Sequence, residues 1–192
     1  MRMSASTDAT TAATPTAGPW PIRRSLRYAA LIAPTSIVGV FASLLGGDAA
    51  IRWHRRGRAI LGRAPSDSGH RPGRLRLMCH ALLGVLLGLV AWLFLGLIGL
   101  MVARGALYGF IDQGPYDGSW GGPSRGGAWL VHFAISLPVA ALGLVVTAGV
   151  ARLHDLLTRP LDGRRRPRWV LPVAFGASAG AALFFVAWLQ QL

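Results

Sequence analysis

The sequence predicts an all-α fold, a polytopic membrane helix bundle with four transmembrane helices, and three observations carry that prediction. Apolar side chains make up 53% of the 192 residues and charged ones only 14%. With glycine counted and tyrosine left out, about 65% of the chain is apolar, against about 45–50% in a soluble domain. The apolar residues fall into four long runs, and the arginines fall into blocks between them. Such runs exclude a disordered chain, and a single cysteine, Cys79, excludes a disulfide scaffold. Every basic residue is arginine and every acid is aspartate, the usage that a GC-rich coding sequence leaves.

Taken in order, residues 1–25 are rich in Thr, Ala, Ser and Pro and read as a disordered tail ahead of a membrane domain over 26–192. No apolar stretch begins before Tyr28, so the tail is not a secretory signal. The first run, 28–45, is short and interrupted by Pro34, Thr35, Ser36 and Ser43. The second, 77–103, carries no charge; the third covers 128–150 and the fourth 169–189. A helix rising about 1.5 Å per residue needs about 20 residues to cross a hydrocarbon core of about 30 Å. The last three runs meet that length comfortably and the first is borderline.

The net charge of +13 points to a membrane surface and not to nucleic acid. Arginines are clustered against apolar runs, whereas a nucleic-acid domain spreads them over a folded polar surface with aromatics between. Residues 51–76 hold eight arginines and 152–168 hold six, while the outer loop, 104–127, holds only Arg104 and Arg125. The positive-inside rule places the two basic blocks in the cytoplasm, facing anionic headgroups, and the glycine-rich segment outside. Four spans then put both termini outside, with 14 arginines inside and 6 outside. A competing arrangement keeps the tail inside and turns the first run into a re-entrant or surface hairpin, which Pro34 permits. Charge favours that second arrangement, 18 arginines against 2; span length and a short internal repeat favour the first.

In the repeat, Arg52-Trp53-His54 follows the first run and Arg152-Leu153-His154 follows the third. The two stretches lead to Ile60-Leu61-Gly62 and Leu161-Asp162-Gly163. On a helical wheel Arg52, Arg55, Arg56 and Arg63 share one side, opposite Ala50, Trp53, Gly57 and Leu61. That pattern predicts short basic interfacial helices, one after the first run and one after the third, the first with arginines toward phosphate and Trp53 toward the acyl boundary. Arg152 and the Arg164, Arg165, Arg166 cluster offer a cytoplasmic interface for headgroups or an acidic signalling partner. Close helix packing is expected at Gly84 and Gly88 and at Gly176 and Gly180, either within the bundle or in a homo-oligomer.

The outer segment is the most distinctive. Gly114-Pro115 and Gly121-Gly122-Pro123 are turn formers, and Tyr108, Phe110, Tyr116, Trp120 and Trp129 are rings suited to a membrane boundary. The run Gly114-Pro115-Tyr116-Asp117, Ser119-Trp120-Gly121-Gly122-Pro123, Gly127-Ala128-Trp129 and His132, with Leu153 to Leu161 after the next span, resembles the sensor-type transmembrane domain of high-GC bacteria that often precedes a histidine kinase. The resemblance covers roughly 77–163; 28–62 fits loosely. It implies a multi-pass protein of a bacterial inner membrane, with Tyr116, Asp117, Trp120, Trp129 and His132 as candidate sensing residues. After Gly163 come one more apolar run and no phosphoacceptor helix or ATP-binding domain, so kinase activity is not expected.

No catalytic set accompanies these residues. Asp112 and Asp117 lack a third partner to tune a carboxylate pair and read as Asx-turn formers. Cys79 and His80 lack two further ligands at metal-binding spacing. Neither a cofactor nor a metal is expected. The function expected is that of a non-enzymatic, sensor-like or partner-binding membrane module. The alternative is a small transporter or permeability component acting as an oligomer, disfavoured by few mid-span polar residues (Thr35, Ser36, Ser136, Thr147, Ser178).

Overall fold

The computed structural model describes residues 20–63 and 70–191, and among these it contains α-helices, one 3₁₀ turn and no strand. The helices are α1 (Ile22–Leu45), α2 (Gly47–Ile60), α3 (Arg74–Gly105), α4 (Tyr108–Ile111), α5 (Arg125–Thr158), continued by a 3₁₀ turn (Arg159–Asp162), and α6 (Val170–Leu189). Four of them are long and apolar enough to cross a membrane: α1, α3, α5 with its 3₁₀ extension, and α6. The chain is therefore an all-α bundle with the make-up of a multi-pass membrane protein. Most of the expected N-terminal tail, 1–19, lies outside the described residues; its last part, 22–25, is the first turn of α1.

Pro34 sits inside α1 without ending it. A proline lacks the N–H that would bond the carbonyl four residues back. Here that carbonyl, Ala30 O, accepts instead from Trp92 Nε1 of α3 at 3.0 Å. The orphaned acceptor is satisfied between helices, and α1 runs on to 24 residues.

Gly46, at φ +141°, makes the corner into α2. α2 departs from the sequence expectation. Instead of lying alone in the headgroup plane with Trp53 in lipid, α2 folds back along α1. Trp53 turns inward and donates from Nε1 to Thr35 O at 2.8 Å, while Ala50 and Gly57 are buried. Leu61 packs in the cluster that holds Tyr28 and Ala29, and Arg24 donates to Gly62 O at 3.1 Å. The end of α2 thus returns to the first turn of α1. Arg52, Arg55 and Arg56 remain exposed, as the pattern implies.

α2 ends in a Schellman turn: Gly62, at φ +67°, donates to Ala59 O at 3.0 Å, and Arg63 donates to Arg58 O at 2.9 Å. The 3₁₀ turn after α5 closes in the same way, Gly163 (φ +73°) to Pro160 O and Arg164 to Arg159 O. The two copies of the repeat therefore share their closing turn and differ before it: α2 is a separate helix, whereas Arg152-Leu153-His154 continues α5, so the second basic stretch forms no surface helix of its own.

α1 and α5 each run antiparallel to α3. In lipid, apolar side chains gain little by leaving the acyl chains, so helices are held by close backbone approach and internal hydrogen bonds. Gly88 supplies that approach: a Cβ there would sit 2.5 Å from Ala33 N. Gly84 does the same against Ser36, with His154 Nε2 3.2 Å from the added atom. Gly176 and Gly180 differ, since α6 turns them outward and a Cβ at either meets nothing within 4 Å. Packing of that glycine pair inside the bundle is thereby corrected; only Val170 and Ala174 of α6 are buried.

Candidate functional site

Polar residues gather at both ends of the bundle. His132 and His154 lie on one helix, α5, separated by 22 residues or about 33 Å of helical rise.

At the glycine- and tryptophan-rich end, α5 starts on Ser124, whose Oγ accepts from Gly127 N–H at 3.2 Å. One turn in, Trp129 donates from Nε1 to Gly105 O at 3.0 Å, satisfying one of the carbonyls that the end of α3 leaves free. Its ring meets Phe110 edge-on at 5.1 Å, which fastens α4 over the helix pair. His132 stacks on Tyr108 with centroids 3.9 Å apart and planes within 8°. Its Nδ1 lies 2.8 Å from Ala128 O, so the proton on Nδ1 is donated there and Nε2 is left to accept. Beside this stack is a cavity of about 390 Å³, lined by Arg104, Tyr108, Ser119, Trp120, His132 and Ser136. Trp120 is 75% exposed, a large ring held at the edge of that cavity and not in the core.

Of the candidate sensing residues, the fold brings Trp120 and His132 to the cavity, while Trp129 packs on Gly109 and Phe110 and is not part of its lining. Tyr116 and Asp117 are not part of its lining. Tyr116 donates its hydroxyl to Asp112 O at 2.7 Å and supports the turn, whereas Asp117 is exposed. Asp112 forms the expected Asx-turn, accepting from Gly114 N–H at 3.0 Å. That N–H, and after it the Tyr108 hydroxyl, hold the Asp112 carboxyl below the ordinary carboxylate range.

The arginine-rich end holds a denser cluster. Asp162, in the 3₁₀ turn, accepts from Arg58 and from Arg63 Nη2 (3.3 Å), with His54 Nε2 at 3.8 Å. Arg63 also bonds Asp155 through Nε at 2.9 Å. The buried Tyr28 hydroxyl is 3.0 Å from His154 Nδ1, and the His80 ring centre lies 5.3 Å from that of His154. Between α1, α2, α3 and α5, His54, Arg58, Arg63, His80 and His154 border a cleft of about 60 Å³, with Tyr28, Asp155 and Asp162 set behind its walls. Arg152, Arg164 and Arg165 are exposed on the surface around it and Arg166 is half-buried.

Sequence reasoning missed this cluster. It treated His54 and His154 only as marks of a repeat, and the fold turns both toward one cleft. The available signal was Asp155 and Asp162, two acids inside an arginine block that has no electrostatic need of them unless they pair across the bundle. Among the described residues no group of three His, Cys or carboxylate side chains is arranged to hold a metal ion, and Cys79 is exposed. Several mid-span hydroxyls bond their own helix: Thr147 to Gly143 O and Ser178 to Ala174 O.

No protein family, curated protein or solved structure matches the chain.

Proposed function

We propose that this is a non-enzymatic, sensor-like module of a bacterial inner membrane, in which the glycine- and tryptophan-rich end faces outward. The cavity beside Trp120 receives the stimulus, a small amphipathic molecule or the edge of the lipid headgroup layer. α3 and α5 carry the response to the arginine-rich end, where the exposed arginines meet an acidic partner. The observation that carries this reading is the convergence of Trp120, His132 and Arg104 on one cavity of about 390 Å³, on the helix that also bears His154 and Asp155. An apolar wall with a few convergent polar groups is the usual form of a small-ligand site. Transport is the weaker reading, because the Thr147 and Ser178 hydroxyls are already used by backbone carbonyls and offer no polar path at mid-depth.

The test is complementation of a deletion strain, read beside the reactivity of a cysteine placed at Arg165. Trp120→Ala and His132→Gln are expected to lose complementation and to change the Arg165→Cys labelling rate at least about threefold, a shift on the scale of a modest coupling between distant sites. Asp117→Ala, outside the cavity, is expected to behave as wild type. Full complementation by all three variants would end the outer-site reading. Solute flux in proteoliposomes that Trp120→Ala abolishes would replace it with transport.

A further inference from the structure

We propose that the cleft at the arginine-rich end binds a single phosphate group. It lies at the other end of α5 from the Trp120 cavity, so it stands or falls separately from the sensing role. Its walls set a few hydrogen-bond donors among mostly apolar side chains. Arg58, Arg63, His54, His80 and His154 line it, and neither Asp155 nor Asp162 does. Those two carboxylates grip Arg63 from behind, Asp155 at Nε and Asp162 at Nη2. A guanidinium has five N–H groups in a rigid fork. With two of its nitrogens held, Arg63 is fixed in orientation, and Nη1 is buried without an acceptor. His154 is in the same position. Its residue is 2% exposed, Nδ1 is engaged by the Tyr28 hydroxyl at 3.0 Å, and Nε2 has no partner; in the tautomer in which Tyr28 donates to Nδ1, Nε2 carries the ring proton. Buried donors without acceptors are costly, so the cleft is complementary to a ligand made of acceptors.

Size narrows the choice. One water needs about 10–15 Å³ of such space, so about 60 Å³ holds four to six water-sized groups, room for one compact tetrahedral anion and not for a bulky ligand. His54, Arg58 and Arg63 also border a wider groove of about 430 Å³ that includes Arg55, so a substituent on the phosphate has somewhere to lie. A lipid headgroup phosphate and a soluble phosphate share this chemistry.

The experiment uses the full chain purified in a maltoside detergent, which contains no phosphate, and follows its thermal midpoint. Inorganic phosphate is titrated at constant ionic strength against chloride; dihexanoyl phosphatidic acid is titrated in parallel. The wild-type midpoint is expected to rise saturably with phosphate, as binding to the folded state requires. Gly57 lines the cleft, and a Cβ there meets nothing within 4 Å. Gly57→Leu therefore fills the space with a better helix former. It is expected to melt no lower than wild type without phosphate, yet to need at least about tenfold more phosphate for the same shift. His154→Gln keeps a polar partner for Tyr28 and is expected to weaken phosphate in the same way. Chloride acting as well as phosphate, no response at all, or a wild-type response from both variants would each overturn the proposal. Tighter binding of phosphatidic acid would assign the site to a lipid headgroup, and tighter binding of inorganic phosphate to a soluble anion.

Discussion

Asp162 is 8% exposed and holds Arg58 and Arg63 from α2 and the chain just beyond it, while its own place is set by the 3₁₀ turn after α5. Few single side chains in this molecule tie elements so far apart in sequence. Asp155 has a lesser position: its side chain is 24% exposed and it meets only one nitrogen of Arg63. Removing one partner of a buried ion pair leaves the other charge uncompensated and costs about 3–5 kcal/mol, whereas an exposed pair is worth about 1 kcal/mol or less. Asp162→Asn is therefore expected to lower stability by about 3 kcal/mol and Asp155→Asn by about 1 kcal/mol, read by reversible unfolding in mixed micelles. Equal effects would mean that Arg63 is held by its surroundings and not by Asp162. The carboxylate also explains why Arg63, placed by the helical wheel with the outward arginines, points inward. The Schellman turn at Gly62 breaks the wheel's phase one residue before it.

At the scale of elements, the helices were legible because a run of some 20 apolar residues has few alternatives in a membrane. The apolar runs are shorter than the helices, since the flanking arginines at Arg74, Arg76 and Arg125 continue the helices past the apolar stretch. What a helix faces was not legible. Gly84-x-x-x-Gly88 and Gly176-x-x-x-Gly180 are the same pattern in sequence, yet the first packs on α1 and the second points away from the chain. Spacing records which residues share a side, and nothing in it records whether a neighbour arrives there. The same limit hid the cleft, whose walls come from four helices, while the Trp120 cavity was partly visible because Tyr108 to His132 is one continuous stretch. The contrast between the glycine pairs is testable. Gly88→Leu drives a side chain into the backbone of Ala33 and is expected to cost about 3 kcal/mol, the upper end for overpacking. Gly180→Leu, in open space, is expected to change the stability of the monomer by less than about 0.5 kcal/mol. Comparable losses from both would show that α6 packs on a surface of this chain after all.

For the molecule as a whole, the unresolved choice in the sequence is the side of the membrane on which α1 begins, and the path of α2 bears on it. Length and hydropathy admit α1 as a span. However, α2 runs back beside it, so that Gly62 meets Arg24 and Leu61 packs near Tyr28. If α1 crossed the bilayer, α2 would re-enter with it, carrying the exposed Arg52, Arg55 and Arg56 into hydrocarbon. Each buried arginine costs about 2.5–3.5 kcal/mol on insertion scales. A hairpin of α1 and α2 held against the first part of α3, from Ser43 at Arg74 to Ala30 at Trp92, and entering from the arginine-rich end limits that cost and keeps Arg23, Arg24 and Arg27 on the side where the other basic blocks lie. The two topologies agree on the glycine- and tryptophan-rich loop and differ only at the start of the chain. Single cysteines at Ile22, Gly118 and Arg165, in a Cys79→Ala background, are therefore expected to split two ways against a membrane-impermeant thiol reagent in intact cells. Gly118→Cys should label, and Ile22→Cys and Arg165→Cys should label only after the membrane is opened. Labelling of Ile22→Cys together with Gly118→Cys would instead establish α1 as a full span, with α2 shielded from lipid by a second copy or a partner. Labelling of Arg165→Cys with Gly118→Cys protected would invert the protein and remove the basis for sensing at Trp120.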